Sequence, residues 1–254
     1  MNKFLLILIV FLISCKEEKS FADDIVLNFP KEEKLTFQKF NEGIGESGSG
    51  IIYIGKDTTK IDVKYNKSMI APPEPNPNYI INADELQREK ELLKYFHPTF
   101  DRIKFSETPI DFDSFSNRNV KIEIKIQDTI PKYAYNYETG GIKKYKAFPV
   151  FIKNISGRKL CLSEFKNFPL AVLNDKNKWQ TIWNDNAFIC GDSRWQYRYW
   201  ELNPDEIIVV SVNYLTGKSQ GKFKIWTGSS SSDEFTMNYD KQIIKNQRHY
   251  FEVK

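Results

Sequence analysis

Arg194-Trp195-Gln196-Tyr197-Arg198-Tyr199-Trp200 packs four large aromatics and two guanidinium groups into seven residues. As a strand it sets Trp195, Tyr197 and Tyr199 on one face and Arg194, Gln196 and Arg198 on the other, because successive side chains alternate. Trp179 and Trp183 fall in a neighbouring β-patterned run. Flat aromatics beside Arg, Asn and Asp suit a face that binds sugar or peptide, since stacking needs area and polar groups give direction. The same spacing serves a sandwich core over which the arginine stems lie, and that is the reading the pattern favours. The ligand-facing candidates are therefore Trp179, Trp183, Trp195, Tyr197, Tyr199 and Trp200.

Other chemistry-bearing residues are sparse. Gly43-Ile44-Gly45-Glu46-Ser47-Gly48 has the letters of a dinucleotide fingerprint, but that motif needs a strand before it and a helix after it. A β-patterned run, Ile51 to Ile54, follows instead, so the stretch reads as a loop. Asp111-Phe112-Asp113 has calcium-like spacing, yet an EF-type loop counted from Asp111 would meet Phe115, Ser116 and Ile122 where an oxygen ligand, glycine and glutamate belong. His97 and His249 are the only histidines. There is no HExxH, Gly-x-Ser-x-Gly or CxxC pattern, and nothing singles out a glycosidase-like carboxylate pair. The sequence thus points to no catalytic residue, no metal ligand set and no cofactor.

The elements that must position these residues are mainly β. Val120-Lys121-Ile122-Glu123-Ile124-Lys125-Ile126 alternates strictly, as a half-buried strand does. Similar runs cover 60–65, 148–153, 159–162, 170–173, 179–183, 194–200, 207–214, 222–226 and 249–253. Turn-forming stretches separate them, among them Asn154-Ile155-Ser156-Gly157, Asn174-Asp175-Lys176-Asn177 and Asn203-Pro204-Asp205. Many short strands at this spacing predict a β-sandwich. One helix is expected at about 83–96, capped by Asn82, with Leu86, Leu93 and Phe96 on one face and His97-Pro98 as its stop. Ala71-Pro72-Pro73-Glu74-Pro75-Asn76-Pro77 before it reads as an extended surface loop.

With 37 basic and 33 acidic residues the formal charge is +4, and the basic residues are scattered. That excludes the electrostatic footprint of a nucleic-acid binder. Hydrophobic residues make up 41% of the chain and aromatic residues 15%, ample for a core.

The chain opens Met1-Asn2-Lys3, followed by ten apolar residues, Phe4 to Ile13. That is about half of what a membrane-spanning helix needs but enough for a secretory signal. Leu12-Ile13-Ser14-Cys15 resembles the lipobox of bacterial lipoproteins. The resemblance implies removal of residues 1–14 and acylation of Cys15, with an outer-membrane anchor. Cys15-Lys16-Glu17-Glu18 resembles the export signal of Bacteroidota-type surface lipoproteins, which implies a position facing the cell exterior; residues 15–30 then read as a lipidated tether. Asp57-Thr58-Thr59 and Asp128-Thr129-Ile130 resemble O-glycosylation acceptors of the same bacterial group, with Thr58 and Thr129 as the sites. Outside the cytoplasm, Cys161 and Cys190 form a candidate disulfide.

From Ala147 onward, "FPVFIKNISGRKLCL" and "LNPDEIIVVSV" resemble bacterial immunoglobulin-like sandwiches. The expected organisation is an N-terminal β-rich region over 31–146 and an immunoglobulin-like sandwich over 147–254. This architecture fixes no chemistry. The expected role is non-catalytic binding or assembly at the cell surface, with a glycan or protein as ligand. Its rivals are an extracytoplasmic hydrolase of polysaccharide or peptide and an inhibitor or immunity-type protein for a partner enzyme.

Overall fold

β14, Ile207–Asn213, is buried along its whole length, and the fold is arranged around it. The computed structural model describes residues 19–31, 34–39, 50–56, 59–66, 82–97, 103–106, 115–135, 139–163, 170–182, 197–227 and 229–247. β14 lies between β2, Ile51–Gly55, and the 13-residue β9, Ile142–Asn154. Two further strands share the far side of β9: β7, Val120–Ile124, and β8, Ile130–Tyr135. All these pairings are antiparallel.

Along β14 and the middle of β9 both faces of this sheet are covered. Ile208, Val210 and Val212 of β14, with Phe148, Val150 and Ile152 of β9, pack against a second sheet. That sheet has the order β12 (Trp179–Ile182), β11 (Leu170–Leu173), β15 (Ser219–Thr227), with β16 (Ser230–Ser231) and β17 (Phe235–Tyr239) both on β15. A three-stranded sheet of β10 (Leu160–Ser163), β13 (Tyr197–Leu202) and β6 (Ile103–Ser106) adds Leu160, Leu162, Trp200 and Leu202 to the same core. The molecule is mainly β with open sheets, as a sandwich requires.

The opposite face, carrying Ile207, Val209, Ala147 and Phe151, is covered by a layer of short pieces. These are β1 (Leu27–Asn28) paired with β3 (Ile61–Asp62), and β4 (Tyr65–Asn66) paired with β5 (Phe96–His97), both in parallel. The end of helix α1, Ala83–Leu92, joins them. Tyrosines dominate this second core: Tyr65 donates to the Pro131 carbonyl at 2.8 Å and meets Tyr133 edge-on at 6.0 Å.

Three expectations change here. The helix ends at Leu92 instead of running on to residue 96, because Phe96 is drawn into a strand on Tyr65. Its buried side is Leu92, with Arg88 over the Tyr135 ring, whereas Leu86 and Leu93 are exposed. Part of the presumed tether is folded: Ala22 is buried, and Ile25, Leu27 and Phe29 pack on the second core. The boundary drawn at 147 falls inside β9, and Ile51, Phe115 and Val120 belong to the sandwich core. The physical reason is shared: a sheet apolar on both faces must recruit the N-terminal chain to cover the second one.

The two stretches that resembled an immunoglobulin-like sandwich meet in space. Asn154 is fully buried. Its amide donates to the carbonyls of Arg158 and Leu202 and its oxygen accepts from Ser156. The Glu206 carboxylate accepts the Asn203 N–H at 2.8 Å, closing the Leu202–Glu206 corner in which Asp205 holds a positive φ of 63°.

Candidate functional site

Pro149 breaks the ladder at the edge of the middle sheet. Its register partner Ser211 donates its own N–H to Gly50 (2.9 Å), away from β9. The Pro149 carbonyl accepts from Lys125, so the side on which a proline lacks its donor is the side facing β7 and β8. β7 pairs with residues 150–154 and β8 with residues 142–147. Between them, residues 125–129 stand opposite only residues 148 and 149, and the surplus loops out as a bulge.

Tyr214 clamps this bulge. Its hydroxyl donates to the Ile126 carbonyl at 2.5 Å and bonds the Thr129 side chain, while burial raises its pKa. A second clamp comes from the N-terminal segment, where Asp23 binds Lys125. The Lys125 ammonium and the Ser20 N–H hold the Asp23 carboxyl below the usual carboxylate range. Ser20 and Asp23 bond reciprocally through Ser20 N–H to Asp23 Oδ2 (2.8 Å) and Asp23 N–H to the Ser20 carbonyl (3.2 Å). After that turn, Ile25, Leu27 and Phe29 alternate inward.

Between the segment and the bulge lies a cleft of about 430 Å³. Leu27, Phe29, Ile130 and Phe151 form its apolar wall, and Gln127, Asp128 and Thr129 stand exposed on its polar rim. The volume falls within the range of small-molecule sites. Thr129, the acceptor candidate, thus sits at a cleft mouth; Thr58 lies outside the described residues.

Among the described residues the aromatic candidates Trp179, Tyr199 and Trp200 do not gather on one face. Trp200 is 1% exposed in the sandwich core, which removes it from the ligand-facing set. It follows Tyr199 directly, so the two point to opposite faces, and Tyr199 is half-buried. Tyr197 opens β13 opposite Ser106. Trp183 and Trp195 lie outside the described residues. Trp179 sits on the outer face of the second sheet, with the Lys224 ammonium 4.0 Å from its ring centroid. Trp226, which the sequence reading passed over, is half-buried on that face too, two residues along β15 from Lys224.

Cys161 stands opposite Glu201 in the β10–β13 register and is half-buried. Cys190, its candidate partner, lies outside the described residues, as do Cys15 and His249. His97, in β5, is half-buried, and burial followed by the charge of Lys64 lowers its pKa. Among the described residues no three His, Cys, Asp or Glu side chains group as a metal site would, and no helix is long and apolar enough to cross a membrane.

Sequence reasoning missed the cleft because its cause is non-local. The signals were nonetheless present: Pro149 inside a strand pattern, and the alternation Ile25-Val26-Leu27-Asn28-Phe29 inside a charged segment. No protein-family model matches the chain, no curated protein matches it, and no solved structure matches it.

Proposed function

We propose that this chain is a lipid-anchored cell-envelope protein with a non-catalytic binding or assembly role, held in the outer membrane through acyl groups on Cys15 and facing the cell exterior. Support comes from Leu12-Ile13-Ser14-Cys15-Lys16-Glu17-Glu18 and from the short distance between that run and the folded body. The observation that carries the binding role is the cleft, walled by the segment that leads away from Cys15. The Ser20 turn stands five residues after Cys15, at most about 17 Å of extended chain. A body tethered so closely keeps the cleft near the lipid surface. Acyl chains at about 0.8 kcal/mol per buried methylene hold such a protein without a span.

The test is fractionation combined with mass spectrometry of the N-terminal peptide. Wild-type protein is expected in the membrane fraction with lipid on Cys15, and Cys15→Ala in the soluble fraction. Replacing Lys16, Glu17 and Glu18 with alanine is expected to leave the lipid in place and to protect the protein from protease added to intact cells. Soluble wild-type protein with an unmodified Cys15 would overturn the reading. The same spectra test Thr58 and Thr129 for added sugar, and a thiol count in denaturant without reductant tests a Cys161–Cys190 bond.

A further inference from the structure

The cleft is asymmetric in a way that selects a ligand chemistry. One wall carries the apolar side chains of Leu27, Phe29, Ile130 and Phe151. The other is a single loop presenting two consecutive exposed polar side chains, the Gln127 amide and the Asp128 carboxylate, followed by Thr129, whose hydroxyl is bonded to Tyr214. These supply donors and acceptors within one short loop. The two remaining charges, Asp23 and Lys125, bind each other, so among the described residues lining the cleft no spare cation is left for an anionic ligand, and Asp128 opposes one.

A ligand matching this must be neutral, with an apolar face and a hydroxyl-bearing edge. A pyranose ring is such a molecule: its C–H face lies on an apolar wall while its hydroxyls, each both donor and acceptor, meet carboxylate and amide groups. A fatty acyl chain would leave the Gln127 and Asp128 side chains unused. We propose that the cleft at residues 125–129 binds a short neutral saccharide, of one or two rings at this volume. The proposal rests on the reading of the cleft as a binding site and is independent of the lipid anchor.

The test uses the full chain carrying Cys15→Ala, so that its outcome does not depend on membrane attachment. Isothermal titration with maltotetraose, cellotetraose and chitotetraose is compared with polygalacturonate and dodecanoate. Saturable binding of at least one neutral tetrasaccharide is expected, weakened at least tenfold in Gln127→Ala/Asp128→Ala and unchanged in Lys224→Ala on the outer sheet. Amide shifts on titration are expected to cluster at residues 125–130, a readout that needs no variant. Three results would each overturn the proposal. They are no binding by any neutral probe, binding that survives the double substitution, or cleft-dependent binding of dodecanoate or polygalacturonate alone.

Discussion

On one face of β14, Ile208, Val210 and Val212 share a core with Phe223, Ile225 and Trp200. On the other, Ile207 and Val209 meet tyrosines, and the polar groups of Ser211 and Lys132 are buried beside them. Lys132, 3% exposed, would have its Nζ 3.2 Å from a Cβ placed on Gly50, which holds a positive φ of 74°. Burial lowers the pKa of this amine to about 8. One sheet thus faces a dry core built by long strands and a second core built by two-residue strands and hydroxyl groups. The dry side is stabilised chiefly by area and shape, whereas the tyrosine side depends on each polar group meeting its partner.

Substitutions on the two sides should therefore fail differently. The largest effect is expected on the dry side: Phe223→Ala should destabilise by about 3–5 kcal/mol through lost transfer energy and a cavity, read from urea denaturation. A loss below about 1 kcal/mol would mean that the second sheet is loosely packed. The next effect has the opposite sign. Lys132→Met should stabilise at pH 7 by up to about 3 kcal/mol, the cost of keeping a buried ammonium charged.

The sign follows from the two states. An unfolded lysine titrates near 10.4, so between about pH 8 and 10.4 the unfolded chain holds a proton that the folded one has shed. Wild-type stability rises with pH across that window, and below it the penalty is present in full. The gain of Lys132→Met should accordingly fade to nearly nothing above pH 10.4; a gain constant with pH would remove the contrast between the cores. The smallest effect is expected from Tyr65→Phe, about 1–2 kcal/mol, because the buried Pro131 carbonyl loses its donor. An equal loss from Phe223→Ala and Tyr65→Phe would likewise dissolve the distinction.

The dry side was the legible one. The runs at 51–54, 120–126, 170–173 and 207–214 announce strands by apolar content and bounding turns, and the structure places strands there. Asn154-Ile155-Ser156 and Leu202-Asn203-Pro204-Asp205-Glu206 announce their turns by residue types that bond their own backbone. The tyrosine side was hidden. Ile130-Pro131-Lys132-Tyr133-Ala134-Tyr135 is buried throughout, so it shows no wet–dry alternation, and its proline and lysine argue against a strand. β1, β3, β4 and β5 are too short to carry a period. The helix misled for a simpler reason: Leu86 and Leu93 are the obvious apolar pair, but Arg88 and Leu92, four apart, form the docked side. The cleft required knowing that Pro149 would face residues more than twenty positions earlier in the chain, which no local pattern reveals.

Pro149 also governs alignment. In a sheet with one wet face, a strand that slips by one residue exposes its apolar side chains and is rejected. β9 is apolar on both faces, with Phe148, Val150 and Ile152 on one side and Ala147 and Phe151 on the other, so hydrophobicity alone penalises such an error weakly. A one-residue shift would swing the Pro149 nitrogen toward β14, where a hydrogen-bond donor is required and proline has none. The residue that opens the cleft is thus a keyway, admitting β9 between its neighbours in one register and barring the next.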